Sequence, residues 1–502
     1  MIGFGPILPL LDGAVPPGAP EREGWRLADR RRIAWSSETT EGIERIAVRL
    51  EGEGPAPMSL GLRFVATGVA RYLRNGYQSW DGSWFATPGE AGAEQGHALT
   101  VLDDGAGGAS VLGFERHDRF HTRFRFAAEG EALTIDAETQ LDRSGATEGE
   151  TLLRFSGPDA DVQMRRWSRL VAQASPLPPR VPDRRITGWC SWYNLYSSIT
   201  PENLREHLRA AAAFRDRRQV PLEVFLIDDG FTPEMGDWLD SKPQFPAGVA
   251  PLLAEAEALG FVPGLWIAPF MVGNRSRLAA EHPEWLVRDA ATGEPWVEMR
   301  FYGEFRWHKR SEEYHILDVT HPDAAAWIAE VFRTWRHDWG ARYFKTDFMH
   351  FGSAHGPDEV AWHEPGLSRI QVWRRMGEII RESIGDDALW LGCGCPLWAS
   401  VGLVDAARIS RDVGVAWDGE QSHQSLFRDL PARLHANAVL WQADPDCILL
   451  RDRFHHLSDA QVRLAATAAG AAGGVVMTSD HLGELSPERE RLFADLLRDA
   501  AG

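Results

Sequence analysis

The chain has 502 residues, of which 44% are hydrophobic and 25% charged, and its formal net charge at pH 7 is −19. This length predicts two or three domains, and the composition is that of a globular protein. The negative charge argues against nucleic acid and against an anionic membrane surface as partners, because binding to either would require a basic patch. A neutral small molecule is the partner most compatible with this charge.

The four cysteines, Cys190, Cys393, Cys395 and Cys447, are too few for a disulfide scaffold and fit a reducing compartment. The close pair at 393 and 395 has no His-rich partner with zinc spacing, so we expect no metal. We find no signal-peptide pattern at the start and no apolar run of about 20 residues. We therefore expect a cytoplasmic protein.

The first part of the chain alternates apolar and polar residues in short runs, such as residues 44–50 and 61–67, with turn residues roughly every ten positions. This pattern predicts an N-terminal antiparallel β-sandwich over residues 1–158. A helix around 161–174 and a Pro-rich stretch follow, and together they form a predicted linker over 159–183.

From residue 184 to 502 the pattern becomes strand then helix, repeatedly. The runs are nearly continuously apolar, as expected for parallel strands covered on both faces. Helix starts are predicted at Thr200, before Pro201, and at Ser458, and the last helix at 486–500. Eight units in this length predict a (β/α)8 TIM barrel, although a doubly wound sheet with insertions would give a similar pattern. The predicted strands are 186–193, 223–229, 262–269, 341–348, 389–394, 405–410, 438–445 and 473–480.

Barrel enzymes place their active residues at the C-terminal ends of the strands and in the loops that follow. In this chain those positions are polar and aromatic: Trp189, Trp192, Tyr193, Asp228, Asp229, Trp266, Lys345, Asp347, Cys393, Arg408, Asp412, Asp444, Asp446 and Asp480. The chain also has 21 tryptophans, and flat rings after strands favour a carbohydrate ligand. For Asp444, Asp446 and Asp480 we expect helix caps instead of site residues.

Lys345 and Asp347 lie two residues apart on one strand, so their side chains point to the same side. An ammonium group beside a carboxylate favours the charged form that a nucleophile needs. The alternative is an interior salt bridge that only fills the barrel. A general acid at Asp412 must stay protonated until it is used, and the charge of Arg408 would oppose this protonation if the two side chains lay close together. We therefore expect Arg408 to point toward substrate or toward another carboxylate.

At these residues the chain resembles the α-galactosidases of glycoside hydrolase family 36, in clan D. The matching strings follow family order over about 300 residues: GWCSWY (188–193), FLIDDGF (225–231), GDWL (236–239), GLWIAPF (264–270), YFKTDF (343–348), LGCGCPL (391–397), RISRD (408–412) and DPDC (444–447). NGYQSW (75–80) resembles a family segment of the sandwich.

The resemblance implies a nucleophile at Asp347 and an acid/base at Asp412. It also implies residues that bind the sugar. These are Asp228 and Asp229 at the 4- and 6-hydroxyls, Lys345 and Arg408 on the 2- and 3-hydroxyl side, Trp266 and Cys393 as pocket walls, and Trp80 as a tryptophan that the sandwich sends into the barrel mouth. From its place at a strand end, we also expect Trp192 to bind substrate.

The implied reaction is hydrolysis of terminal α-D-galactosides by double displacement with retention, using neither metal nor organic cofactor. The expected partner is a small oligosaccharide or glycoside. The sequence leaves the oligomeric state open, with a homo-oligomer as one option. Relatives usually carry a C-terminal β domain, which we expect to be absent because this sequence ends at the eighth helix. Arg411, next to Asp412, is a second departure and adds positive charge.

Other functions remain open from sequence. The same fold could act on an α-N-acetylgalactosaminide or a β-L-arabinopyranoside, or could transfer the sugar as a transglycosylase. A non-catalytic carbohydrate-binding protein and a barrel aldolase or isomerase are the alternatives outside this class.

Overall fold

A computed structural model describes residues 2–21, 24–301, 310–419 and 421–500. Its first part is built from antiparallel strands. They are β1 (Gly3–Phe4), β2 (Leu8–Leu11), β3 (Gly18–Glu21), β4 (Gly24–Leu27), β5 (Arg32–Thr40), β6 (Ile43–Glu51), β7 (Ser59–Thr67), β8 (Arg71–Arg74), β9 (Trp84–Ala86), β10 (Gln95–His97), β11 (Leu99–Asp103), β12 (Gly108–Phe114), β13 (His121–Glu129), β14 (Ala132–Gln140) and β15 (Leu152–Pro158).

These strands form two sheets with a shared core. One sheet has the order β1-β7-β14-β13-β10 with β2 also on β7, and the other has the order β3-β4-β5-β6-β15-β12-β11-β8-β9. The alternating side chains that face inward, among them Leu62, Phe64, Ile135 and Leu112, are buried together. The predicted β-sandwich is therefore confirmed.

Helix α1 (Ala160–Ala174) follows the sandwich and begins at the N-cap Asp159, whose side chain accepts from two backbone N–H groups. Its apolar face includes Trp167 and Val171, which are buried in the core that continues into the rest of the chain. The Trp167 indole N–H donates to the carbonyl of Phe114 at 3.0 Å, so this helix is bonded to the sandwich.

The second part alternates strands and helices. The strands are β16 (Thr187–Cys190), β17 (Val224–Ile227), β18 (Val262–Ile267), β19 (Met271–Gly273), β20 (Arg288–Asp289), β21 (Met299–Arg300), β22 (Glu313–Ile316), β23 (Tyr343–Thr346), β24 (Val360–Ala361), β25 (Leu389–Gly392), β26 (Ala406–Arg408), β27 (Gln442–Asp444), β28 (Cys447–Ile448) and β29 (Val476–Thr478). The helices are α2 (Trp192–Leu195), α3 (Pro201–Arg218), α4 (Ala250–Ala258), α5 (Arg277–Glu281), α6 (Pro322–Arg333), α7 (Arg369–Ile384), α8 (His423–Arg433), α9 (Asp459–Ala471) and α10 (Pro487–Ala500).

Nine of these strands form one parallel sheet, in the order β27-β26-β25-β23-β18-β17-β16-β29-β28. Its two ends are β27, which lies within the predicted seventh strand (438–445), and β28, which follows it in the chain after residues 445 and 446. The first pairs with β26 and the second with β29, so the sheet curls round into the predicted barrel. A 2.9 Å hydrogen bond from the Val475 amide to the Ala443 carbonyl links the two sides.

Each of the eight predicted barrel strands is present, although the strands are shorter than the apolar runs. The first run, for example, ends as a strand at Cys190 and continues as α2, because the chain turns at the barrel mouth. The predicted caps are confirmed: Thr200 and Ser458 both form capping boxes. The antiparallel strands β19, β21 and β22, which pair with one another between β18 and β23, were not predicted. No helix within the described ranges is long and apolar enough to cross a membrane.

Candidate active site

A cavity of about 630 Å³ opens where the parallel strands end. Seven of the ten predicted site residues line it: Trp80, Trp192, Asp228, Trp266, Lys345, Asp347 and Asp412. The other described lining residues are Met299, Phe301, Phe348, His350, Phe351, Arg411 and Gln421. The barrel and the sandwich segment that carries Trp80 therefore bring together side chains that are more than 300 residues apart in sequence.

Asp347 follows directly after β23, and its carboxylate is held by two donors. The backbone amide of Phe348 donates to Oδ1 at 2.9 Å, and the Trp266 indole N–H donates to Oδ2 at 3.1 Å. Phe348 has a φ of 50°, a left-handed conformation that a bulky residue seldom adopts and that is typical of functional sites. This turn places an amide on the carboxylate, so Asp347 is oriented by the backbone as well as by Trp266.

Lys345 forms its ion pair with Asp228, not with its strand neighbour Asp347. The Lys345 Nζ lies 2.8 Å from Oδ2 of Asp228, and both side chains are buried. Burial opposes the ammonium form, but the charge of Asp228 outweighs it and raises the pKa of Lys345 well above its usual value. The prediction that both Lys345 and Asp347 face the barrel mouth agrees with the cavity. The carboxylate that neutralises the lysine comes from the end of another barrel strand, β17.

Asp412 follows β26 and is joined to Arg408. Nη1 of Arg408 donates to Oδ1 of Asp412 at 3.0 Å, and the Asp412 side chain is 28% exposed. Arg408 itself is buried and also contacts Asp444 at 3.0 Å and Asp446 at 2.9 Å. The expectation that Arg408 points toward another carboxylate is correct, and the expectation that it stays away from Asp412 is wrong.

The predicted helix-cap roles of Asp444, Asp446 and Asp480 are also wrong. Asp444 and Asp446 bind Arg408, while Asp480 binds Arg451 at 3.0 Å and accepts from two backbone amides of the preceding loop. The helices that follow, α9 and α10, begin at Asp459 and Pro487, several residues after these strand ends, and α9 uses Ser458 as its cap.

Asp446 lies behind Asp412 in a buried polar cluster. Burial raises the pKa of Asp446 to about 6, with Arg408 opposing the shift and the charge of Asp412 adding to it. The Tyr193 hydroxyl donates to Oδ2 of Asp446, and the Val413 amide donates to the same atom at 3.0 Å. The cluster thus connects the segment carrying Asp412 to two other strand ends.

Three predicted site residues, Asp229, Cys393 and Arg408, are buried behind the cavity and are not among its described lining residues. The Asp229 amide donates to Oδ1 of Asp228 at 3.0 Å. Burial, together with the nearby charge of Asp347, raises the pKa of the Cys393 thiol well above its usual value. Their positions support the cavity wall from inside the barrel.

The aromatic residues after Asp347 were missed by sequence reasoning. Phe348, His350 and Phe351 lie in the loop after β23 and line the cavity. The sequence analysis considered the end of this strand only as far as Asp347. Including the next four residues of the loop would have found all three. Burial lowers the pKa of His350 to about 4, so this ring is neutral at physiological pH.

Residues 191–357 match the family model described as Melibiase. An α-galactosidase of Escherichia coli is 27% identical over 112 residues, which cover 21% of this chain and 15% of that protein. A probable α-galactosidase G of Emericella nidulans is 28% identical over 220 residues, which cover 40% of this chain and 27% of that protein. These matches span less than a third of the relatives' own length.

Solved structures extend the likeness to nearly the whole chain. TtGalA, an α-galactosidase from Thermus thermophilus in complex with stachyose, has a TM-score of 0.73 and 26% identity, covering 92% of this chain and 99% of that one. The same protein was also solved with p-nitrophenyl α-D-galactopyranoside. The GH36 α-galactosidase AgaA from Geobacillus stearothermophilus has a TM-score of 0.61 at 12% identity, covering 100% of this chain and 73% of that one, and it shares the fold.

Proposed function

We propose that this chain, which belongs to the family of GH36-type α-galactosidases, hydrolyses terminal non-reducing α-D-galactosides with retention of configuration at the anomeric carbon. The observation that carries the proposal is that two carboxylates, Asp347 and Asp412, line one cavity. Paired carboxylates on either side of a glycosidic bond are the usual machinery of glycoside hydrolysis.

Asp347 is the nucleophile in this proposal. Its carboxylate oxygen attacks the anomeric carbon, and the bond from that carbon to the leaving-group oxygen breaks. Asp412 donates its proton to this oxygen as it leaves. A β-linked glycosyl-enzyme results, with the sugar esterified to Asp347.

Water completes the reaction. The Asp412 carboxylate takes a proton from the water molecule, the water oxygen bonds to the anomeric carbon, and the ester bond to Asp347 breaks. Two inversions produce α-galactose and return both side chains to their starting states. A retaining enzyme holds the two carboxyl groups about 5–5.5 Å apart.

Other residues bind the sugar and orient the two carboxylates. Asp228 and Lys345 present an acceptor and a donor to hydroxyl groups, and Trp266 holds Asp347 while offering an aromatic wall. Trp80 and Trp192 form further walls. We assign Asp229, Cys393 and Arg408 to the support behind them, in place of the direct sugar contacts that the resemblance implied.

The proposed domain limits are 1–158 for the sandwich, 159–183 for the linker and 184–502 for the barrel. The expected substrate is a small oligosaccharide or glycoside. The cavity size and its mixed polar and aromatic lining support a ligand of this kind. The reaction as proposed uses only protein side chains and water.

The test is turnover of p-nitrophenyl α-D-galactopyranoside by the wild type and by the Asp347→Ala and Asp412→Ala variants, with sodium azide added to each. In Asp347→Ala, azide replaces the missing nucleophile and attacks the anomeric carbon directly. This single inversion produces β-galactosyl azide. Azide that intercepts the glycosyl-enzyme produces α-galactosyl azide from Asp412→Ala. The opposite anomers, or an initial β-galactose product from the wild type by NMR, would refute the assignment.

The corresponding α-N-acetylgalactosaminide and β-L-arabinopyranoside are assayed alongside. Preferential cleavage of either one would leave the two-carboxylate mechanism intact, and that glycoside would replace the α-galactoside as the proposed substrate. Turnover of none of the three by the wild type would refute the proposal.

A further inference from the structure

A segment of the sandwich, residues 75–83 between β8 and β9, enters the barrel mouth, and we call it the strap. Its Trp80 lines the cavity. The strap is bonded to itself, because the Gly76 amide donates to Oγ of Ser83 at 2.8 Å and the Tyr77 amide donates to Oδ2 of Asp81 at 2.7 Å. It is therefore a shaped loop whose position depends on what holds it to the barrel.

One buried side chain of the barrel holds most of this backbone. Arg433, the last residue of α8, is 1% exposed. Its Nε donates to Oγ of Ser83 at 2.8 Å, Nη1 to the carbonyl of Ser79 at 3.3 Å, and Nη2 to the carbonyl of Gln78 at 3.0 Å and to that of Asp81. These acceptors are all neutral, and only a planar guanidinium has enough donors to reach them together.

The same guanidinium also contacts the segment that carries Asp412. Nη1 of Arg433 donates to the carbonyl of Ile409 at 2.6 Å. Ile409 lies between Arg408, which binds Asp412, and Asp412 itself. Arg433 is therefore a direct link between the cavity wall provided by the strap and the candidate acid/base.

The Ser83 amide donates to Oδ1 of Asp429 on α8 at 3.0 Å. Further strap contacts lie on the side of Asp347. The Trp80 ring lies 5.1 Å from that of Phe348 and 5.3 Å from that of His350, and Ser79 Oγ accepts from the amide of Gly394 at 3.1 Å. Phe348 in turn donates its amide to Asp347. The strap thus lies against the nucleophile loop, and Arg433 sets its distance from the acid/base segment.

We propose that Arg433 is a positioning residue that places Asp412 for proton transfer to the leaving-group oxygen, by joining the strap to the backbone that precedes Asp412. This inference rests on the proposed role of Asp412 as the acid/base. Burial lowers the pKa of Arg433 to about 10, partly offset by the charges of Asp429 and Asp81, so the side chain stays cationic at neutral pH and keeps its full set of donors.

Proton transfer matters most when the leaving group is a poor one. An alkyl galactoside or raffinose releases an alkoxide-like oxygen that needs the proton, whereas p-nitrophenolate leaves with little help. Misplacing Asp412 should therefore slow the first kind of substrate more than the second. A residue that only supports the fold would lower turnover of both kinds by the same factor.

The experiment compares kcat/KM for raffinose, methyl α-D-galactopyranoside and p-nitrophenyl α-D-galactopyranoside in the wild type and Arg433→Lys. We expect a loss of about tenfold or more for the first two substrates and of about threefold or less for the aryl galactoside. Equal losses on all three substrates, or no loss on any, would overturn the proposal.

Two further variants keep the test decisive. Ser83→Ala removes the acceptor of Arg433 Nε, together with the Gly76 bond inside the strap, but keeps the cation. We expect the same selective loss at a smaller size. If Arg433→Lys does not fold, the Ser83→Ala ratio decides alone, and a ratio equal to that of the wild type overturns the proposal. Arg428→Lys is the matched control. Arg428 lies on the same helix as Arg433 and contacts Trp84 of β9 and its neighbour Asp429, but it does not reach Ile409. The ratio of kcat/KM values between substrates in this variant should match that of the wild type.

Failure of the proposed function would look different. A wild type that turns over none of the three galactosides would refute the function itself, whereas an active wild type with no selective loss in the variants refutes only the role of Arg433.

Discussion

Arg408 and Asp412 are joined by a 3.0 Å hydrogen bond between Nη1 and Oδ1, although the proposed role of Asp412 as acid catalyst requires a proton that a neighbouring cation disfavours. The same guanidinium also contacts Asp444 and Asp446. Burial raises the pKa of Asp446, Arg408 opposes this shift, and the charges of Asp412 and Asp444 add to it.

The free energy of unfolding should depend on pH through Asp446. Burial raises its folded-state pKa from 3.8 to about 6, so the folded state binds this proton more tightly than the unfolded state does. The resulting stabilisation is fully present below about pH 4 and is lost as the pH rises through 6. Asp446→Asn cannot ionise and lacks this pH dependence. The unfolding free energy of the variant minus that of the wild type, both measured in urea, should therefore rise by up to about 3 kcal/mol between pH 4 and pH 7. A difference between the two proteins that does not change with pH would contradict this prediction.

The buried ion pair of Lys345 and Asp228 should be costly to break from one side. Lys345→Met leaves Asp228 as an uncompensated buried charge, and we expect the free energy of unfolding to fall by about 3–5 kcal/mol. Adding Asp228→Asn to this variant removes that charge and should recover part of the loss, which urea denaturation can measure. Additive losses in the double variant would show that the pair does not interact as the structure indicates.

Trp266 should contribute to catalysis through its indole N–H as well as its ring. Trp266→Phe keeps an aromatic wall but removes the donor to Oδ2 of Asp347, a charge-assisted bond of about 1.5–3 kcal/mol. We expect kcat/KM for p-nitrophenyl α-D-galactopyranoside to fall by about tenfold or more, with the loss in kcat. Trp238→Phe is the control, because its ring lies 6.2 Å from that of Trp266 and makes no bond to Asp347. A loss of equal size in the control would assign the effect to packing.

The capping box at Thr200 should stabilise the barrel without affecting the site. Its hydroxyl accepts from the Asn203 amide, and the Asn203 side chain accepts from the Thr200 amide. Thr200→Ala should lower the free energy of unfolding by about 1 kcal/mol and leave kcat and KM unchanged. A change in either kinetic constant would show that the start of α3 is coupled to the cavity.

Sequence alone determined the fold class and half of the described residues that line the barrel mouth. The eight near-continuous apolar runs predict buried parallel strands because such strands are covered on both faces. Strand ends in a barrel converge, so the order of the strands is enough to place residues as distant as Asp228 and Asp412 at one mouth. The caps at Thr200 and Ser458 were likewise predicted, because capping depends on residues only three positions apart.

Only the tertiary structure decided which charges pair. Lys345 and Asp347 share one strand, but the lysine binds Asp228 from a different strand of the barrel, because the strand ends converge on the same mouth. Arg408 gathers three carboxylates, and Arg433 bonds to a strap more than 340 residues earlier in the chain. Such contacts depend on the register and curvature of the closed sheet and on the docking of the sandwich against it. Neither is encoded in the local pattern of any one segment.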